Sequence, residues 1–201
     1  MKDTLNFYNK IYEPLFKKED YNKSLHRGKV ALKKFKEFSE KNDIHVDEVI
    51  DIGCSWGKTL KYWKKKKKIK ACGVDVANTT VDFCKQKGYE CYLASATNLS
   101  IFKDKQFDLY IATDIYEHLR MGDLKFAINE AKRITKKYLL IRPHPALDKR
   151  GRADIRKALH LTVWDLNKWQ LFFGENDLNV IPIGDNGEIV YKNVFLMSIN
   201  N

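Results

Sequence analysis

Residues 51–59 read DIGCSWGKT and follow a short apolar run, a setting in which glycines usually approach a ligand. Gly-Lys-Thr at 57–59 suggests a phosphate cradle, but that motif needs four residues between its first glycine and Gly-Lys-Ser/Thr. Counting back from Gly57, the required glycine falls on Ile52. A dinucleotide fingerprint, G-x-G-x-x-G, is excluded by Ser55 and Trp56. What remains is Asp51-x-Gly53-x-x-x-Gly57, with Asp75 closing the next apolar run. A carboxylate about 20 residues on can accept both hydroxyls of a ribose. The loop therefore fits a nucleoside without phosphates. Asp51 is expected either to meet an ammonium group or to fix the loop through its N–H groups.

A second group of residues could handle protons. In DIYEH (114–118), Asp114, Glu117 and His118 stand at i, i+3 and i+4 and share a face on a helical turn. They can brace that turn, or they can bind a divalent cation, since mixed oxygen and nitrogen ligands suit Mg, Mn or Zn. His144 and His160 are further candidates for a base. Between them, RPHPALDKRGRADIRKALH (142–160) gathers Arg142, Arg150, Arg152 and Arg156. Arginine forks suit phosphate or carboxylate, so these four are the expected contacts to an anionic acceptor, against the alternative of a solvated loop and helix face.

Elements able to position these groups alternate along the chain. A helix is expected over 25–42, where Val30, Ala31, Phe35 and Phe38 recur at helical spacing. Strands are expected at 48–53, 69–76, 89–95, 107–113 and 137–143. Helices fall from Gly57, over 79–88 with Thr79 or Thr80 as N-cap, over 122–135 and over 161–176. Two strands, 178–183 and 192–200, close the chain without a helix between them. The alternation gives an α/β fold, a doubly wound, mostly parallel sheet with helices on both faces. A tight link between the final strands makes the last one antiparallel. The carboxyl ends of the strands then carry Asp51, Asp75, Ser95 and Thr113.

VIDIGCSWG, GVDVA, LASATNLS, FDLYIATDIYEHL and LLIRPHP, in this order and spacing, resemble the successive motifs of class I S-adenosylmethionine-dependent methyltransferases. The resemblance spans residues 25–200 and implies a seven-stranded sheet with the last strand antiparallel. It implies that Asp51, Gly53, Cys54, Ser55 and Gly57 line the methionine part of the cofactor and that Asp75 holds the ribose. Ser95, Ala96 and Thr97 would meet the adenine, and Val76, Thr113 and Asp114 complete the cofactor set. Ser55 stands where the family often has a third glycine, and Ser95 where it usually has an acid. The Glu-His pair of 117–118 and HLTVW (160–164) also resemble the metal-binding residues of small-RNA 2′-O-methyltransferases. A divalent metal thus fits the set but is not expected.

Three functions follow from the resemblance. They are methyl transfer to oxygen or nitrogen of a small, anionic acceptor, ribose methylation of RNA, and cofactor binding without turnover in support of a partner. The chain lacks the Asn/Asp-Pro-Pro-aromatic turn of base N-methyltransferases.

Composition sets outer bounds. The 201 residues suffice for one domain. Apolar residues are 44% and charged residues 31%, the balance of a globular rather than a disordered chain. No apolar run has transmembrane length, and the start lacks the apolar core of a signal peptide, so a cytoplasmic location is expected. Cys54, Cys72, Cys84 and Cys91 form no C-x-x-C pair and no zinc spacing; two of them lie in apolar strand-like runs as small buried thiols, and all are expected to be reduced. Net charge is +11, but the excess is mostly lysine spread along the chain. Residues 1–25, rich in Phe and Tyr, either pack on the domain or close over the cofactor as a lid, with Arg27 reaching its carboxylate. Segment 142–160 is read as an insertion on the acceptor side.

Overall fold

The computed structural model describes residues 2–17, 27–66, 69–144, 159–184 and 193–199. Its sheet contains β1 (Glu48–Ile52), β2 (Lys70–Asp75), β3 (Glu90–Leu93), β4 (Phe107–Thr113), β5 (Thr135–Arg142), β6 (Leu178–Ile181) and β7 (Phe195–Ile199). Their order is β3-β2-β1-β4-β5-β7-β6. β7 pairs antiparallel with both β5 and β6, and all other pairs are parallel. The order in which successive strands are laid down reverses between the parallel neighbours β1 and β4, whose ends lie side by side in the register Ile52 to Ala112. That switch point opens a crevice at the carboxyl ends of the strands.

Six helices cover the sheet among the described residues: α1 (Lys2–Phe16), α2 (Arg27–Lys41), α3 (Lys58–Lys64), α4 (Asn78–Gln86), α5 (Met121–Ile134) and α6 (Leu166–Glu175). β1 and β4 are buried at almost every position and mostly apolar because both of their faces are covered. Ile50, Ile52, Tyr110 and Ala112 pack with α1, α5 and α6. Val49, Leu109 and Ile111 pack with Ala31, Leu32 and Phe35 of α2 and Trp63 of α3. Trp169 is fully buried against Phe173 and Tyr116, and Trp164 packs beside it. No described helix is long and apolar enough to cross a membrane.

Three local expectations are corrected. Residues 2–16, read as an aromatic segment, form α1, with Tyr8, Tyr12 and Phe16 repeating every four residues as its buried stripe. Neither Thr79 nor Thr80 is an N-cap: α4 starts at Asn78 after an extended Ala77. The Thr80 hydroxyl donates back to the Ala77 carbonyl at 2.9 Å, and α1 supplies the missing acceptor. Glu13 accepts from the Thr79 N–H at 3.1 Å and from its hydroxyl at 2.6 Å. The last helix begins at Leu166 rather than 161, because Thr162 is held by the Glu117 and Leu119 carbonyls. Asp165 then caps α6 by accepting from the Lys168 N–H at 2.8 Å.

α1 is fastened at several points. Asn9 donates to the Val76 carbonyl at 2.6 Å, and the Tyr8 hydroxyl donates to Asp123 at 2.6 Å while accepting from the Arg120 N–H at 3.0 Å. Glu13 acts as an N-cap in trans, so Glu13→Ala should cost about 1 kcal/mol, the usual value of a lost cap. Urea unfolding checks it: an unchanged midpoint would mean that α1 does not hold the start of α4.

Candidate active site

Three left-handed residues shape the turn after β1: Gly53 at φ 70°, Ser55 at φ 48° and Gly57 at φ 68°. A side chain on Gly53 would place its Cβ 1.9 Å from Ile115 Cδ1, so only glycine fits there. The Gly53 and Cys54 N–H groups both donate to the Val74 carbonyl, at 2.7 and 3.0 Å. Asp51 therefore does not fix the loop through its N–H groups. That role falls to Asp75, which accepts from the Ser55 N–H at 2.8 Å and the Ala77 N–H at 3.0 Å. Each Asp75 oxygen keeps a further lone pair for a ligand hydroxyl.

The turn opens on a cavity of about 960 Å³. Of the expected cofactor residues, Asp51, Gly53, Cys54, Ser55, Asp75, Val76, Ser95, Ala96, Thr113 and Asp114 line it. Gly57 and Thr97 do not: Gly57 turns the chain into α3 against Cys84 and Tyr89, and Thr97 is buried against the Ser95 hydroxyl at 2.9 Å. Arg27 begins α2, and its neighbour Gly28 lines the cavity.

Both cavity carboxylates are buried, and burial raises their pKa values, Asp51 to about 8 and Asp75 to about 6. A hydrogen bond from Thr59 partly offsets the effect at Asp51, while repulsion from Asp75 adds to it. Such a site favours a ligand that brings positive charge or hydroxyl donors.

The opposite end is built from the turn after β4. Tyr116–His118 form one 3-10 turn, and Glu117, His118 and His160 line the cavity there with Tyr12 and Leu159. His118 Nδ1 lies 2.9 Å from the Leu159 carbonyl, a bond in which the ring must donate, so Nε2 carries the lone pair. One ligand atom from each of Glu117, His118 and His160 fits within 4.8 Å of the others. Glu117 is completely buried, and neither of its oxygens has a hydrogen-bond partner among the described residues. Burial, then the nearby Asp114, raises its pKa well above the ordinary carboxylate value. His144 is buried behind the cavity with its ring 5.0 Å from that of His160.

Arg142 pairs with Asp114 across the ends of β4 and β5 and is not part of the cavity wall. Arg150, Arg152 and Arg156 lie outside the described residues. The positive lining comes instead from lysines that the sequence reading left among a dispersed surplus. Lys29, Lys33 and Lys36 of α2, at i, i+4 and i+7, line the cavity with Lys58 of α3. Lys33 and Lys36 also reach Glu37 and Glu40 at 3.5 Å. Their helical spacing was the available signal, blurred by Lys34 and Lys41 on the adjoining face of α2.

The family profile described as "Methyltransferase domain" matches residues 50–140. No curated protein sequence matches the chain. Among solved structures, a SAM-dependent methyltransferase from Archaeoglobus fulgidus shares 15% identity at a TM-score of 0.62, covering 83% of this chain and 93% of that one. A Thermotoga maritima SAM-dependent methyltransferase, a possible histamine N-methyltransferase, gives 18%, 0.59, 85% and 89%. The CurJ carbon methyltransferase gives 11%, 0.65, 85% and 54%. At these identities the likeness is one of fold, and the fold does not select the acceptor atom.

The raised pKa of Asp51 has a definite sign for stability. The folded state holds its proton more tightly than the unfolded chain, so this contribution is full below about pH 4 and lost as pH rises through 8. Asp75, at about 6, has lost most of its share before pH 7. Ligand-free protein should therefore lose thermal stability between pH 6.5 and 8.5, and Asp51→Asn should remove most of that slope. Melting curves across this range check it, and an unchanged slope would show that Asp51 titrates normally.

Proposed function

We propose that the chain is a class I, Rossmann-like S-adenosylmethionine-dependent methyltransferase, a reading supported by its sheet order and by the methyltransferase-domain match, and that it methylates an oxygen or nitrogen atom of a small anionic acceptor. The observation that carries this reading is His118, whose Nδ1–H bond to the Leu159 carbonyl aims the Nε2 lone pair as a base in the same cavity as Asp51 and Asp75. The two acids fit the cofactor: Asp51 suits its ammonium group and Asp75 its ribose hydroxyls. Ser95 and Ala96 lie where an adenine would be met. The bound cofactor supplies an electrophilic methyl group. His118 then takes the proton that the acceptor loses as its new bond to carbon forms. Lys29, Lys33, Lys36 and Lys58 supply the charge that draws in an anion. Tyr8, Tyr12, Leu15 and Phe16 of α1 act as the lid that excludes water and holds the reactants in line.

Binding of S-adenosylhomocysteine at pH 7 should release close to one proton per chain as Asp51 ionises against the ammonium group. Calorimetry in buffers of different ionisation enthalpy reads this directly, and Asp51→Asn should abolish it. No binding would remove the methyltransferase reading.

With a panel of hydroxylated and aminated carboxylates and phosphates as acceptors, His118→Ala should lower kcat about 100-fold or more with cofactor affinity unchanged. Lys33→Glu with Lys36→Glu should raise KM about tenfold while sparing kcat. Tight cofactor binding without turnover across the panel would favour the partner-supporting module.

A second reading, metal-assisted ribose methylation of RNA, is favoured by the buried Glu117 carboxyl beside His118 and His160. Asp114 is engaged by Arg142, which leaves Glu117, His118 and His160 as that ligand set. This reading requires Mn²⁺-dependent activity on RNA ends, abolished by a chelator and by His160→Ala.

A further inference from the structure

Cys54, Cys84 and Cys91, which have no metal-site spacing in the sequence, converge from three elements. Cys54 sits in the turn after β1, Cys84 on α4 and Cys91 on β3, and their sulfurs all lie within 4.8 Å of one another. Gly73 makes the meeting possible. It stands in the middle of β2, paired with Cys91 on one side and Asp51 on the other. A Cβ on Gly73 would lie 2.6 Å from Cys54 Sγ and 2.8 Å from Cys54 Cβ. The bare strand lets Cys54 reach across β2 until its sulfur is 3.3 Å from that of Cys91.

All three thiols are buried, at 4%, 0% and 2% exposure, in a pocket completed by Leu60 and Val81. The group contains no carboxylate or imidazole. The bonds that hold the thiols now are weak ones, the Cys54–Cys91 contact and a Cys84 S–H donating to the Ser55 carbonyl at 3.3 Å.

We propose that Cys54, Cys84 and Cys91 form a three-sulfur site for a soft monovalent metal ion, Cu(I), set directly behind the cofactor cavity. Sulfur-only ligation excludes hard ions such as Mg²⁺ and Ca²⁺ and selects thiophilic ones. Zn²⁺ in structural sites takes four ligands, and the described residues offer three sulfurs in a dry pocket. A metal–sulfur bond of about 2.3 Å in trigonal geometry sets the sulfurs about 4.0 Å apart, so the Cys54–Cys91 pair would open by only about 0.7 Å. The thiols give up their protons as the ion binds.

Cys54 is the one member that lines the cavity, which makes the cavity the ion's route in. A bound ion would tie the glycine turn to α4 and β3. The inference stands whether or not the acceptor assigned above is correct.

The test is anaerobic titration of the reduced chain with Cu(I) in competition with bicinchoninate, followed through the thiolate-to-copper ultraviolet band. One Cu(I) per chain is expected, and Cys84→Ser and Cys91→Ala should each weaken binding about 100-fold or more. Cys91→Ala leaves no buried hydroxyl, so it serves if Cys84→Ser does not fold. His118→Ala with His160→Ala should leave the band unchanged, separating this site from the histidine cluster. S-adenosylhomocysteine should slow loading. The proposal is overturned if bicinchoninate strips Cu(I) from the wild-type chain as easily as from Cys91→Ala, or if Zn²⁺ displaces Cu(I).

Discussion

The site depends on a buried carboxylate used on its own backbone. Asp75 takes the Ser55 and Ala77 N–H groups, so one side chain at the end of β2 fixes both the glycine turn after β1 and the approach to α4. The turn needs this help because Ser55 holds a left-handed conformation that costs an L-residue about 1 kcal/mol. Asp75 can still accept from a ligand, so the residue that shapes the cavity is also one that would hold its occupant.

The second constraint is electrostatic. Two acids are buried together at the switch point of the sheet, where desolvation disfavours both charged forms and repulsion from Asp75 adds to the effect at Asp51. A cationic or hydroxyl-rich ligand relieves both effects. Burying the two acids thus exchanges some folding stability for affinity toward such a ligand. Glu117 repeats the pattern at the other end of the cavity, where its carboxyl, without a hydrogen-bond partner among the described residues, lies beside two histidines. Together the two ends describe a cleft that is chemically incomplete without its ligands.

α1 belongs to the same design. Glu13 completes the start of α4, Asn9 occupies the carbonyl after β2, and Tyr8 bridges Arg120 and Asp123. The helix that covers the cavity is therefore bonded to the ends of the elements that form it. Tyr12 adds an edge contact to His118, its ring 5.6 Å away, which links the cover to the candidate base.

The amino-acid order alone determined whatever depends on neighbours along the chain. Apolar runs located the strands, helical spacing located α2 and α5, and the link between the last two strands foretold the antiparallel β7. The Asp-Gly turn and the acids at strand ends were legible for the same reason, since φ and periodicity are local properties. The stripe of Tyr8, Tyr12 and Phe16 obeyed that rule too and went unread among polar neighbours. Tertiary structure decided what depends on distance through space. Glu13 caps a helix 66 residues away, Gly73 lets Cys54 meet Cys91, and His160 joins Glu117 and His118 because Thr162 ties its segment to the turn after β4. Each of these meetings follows from the order and register of the strands, and side-chain types in sequence carry no information on which strand end faces which.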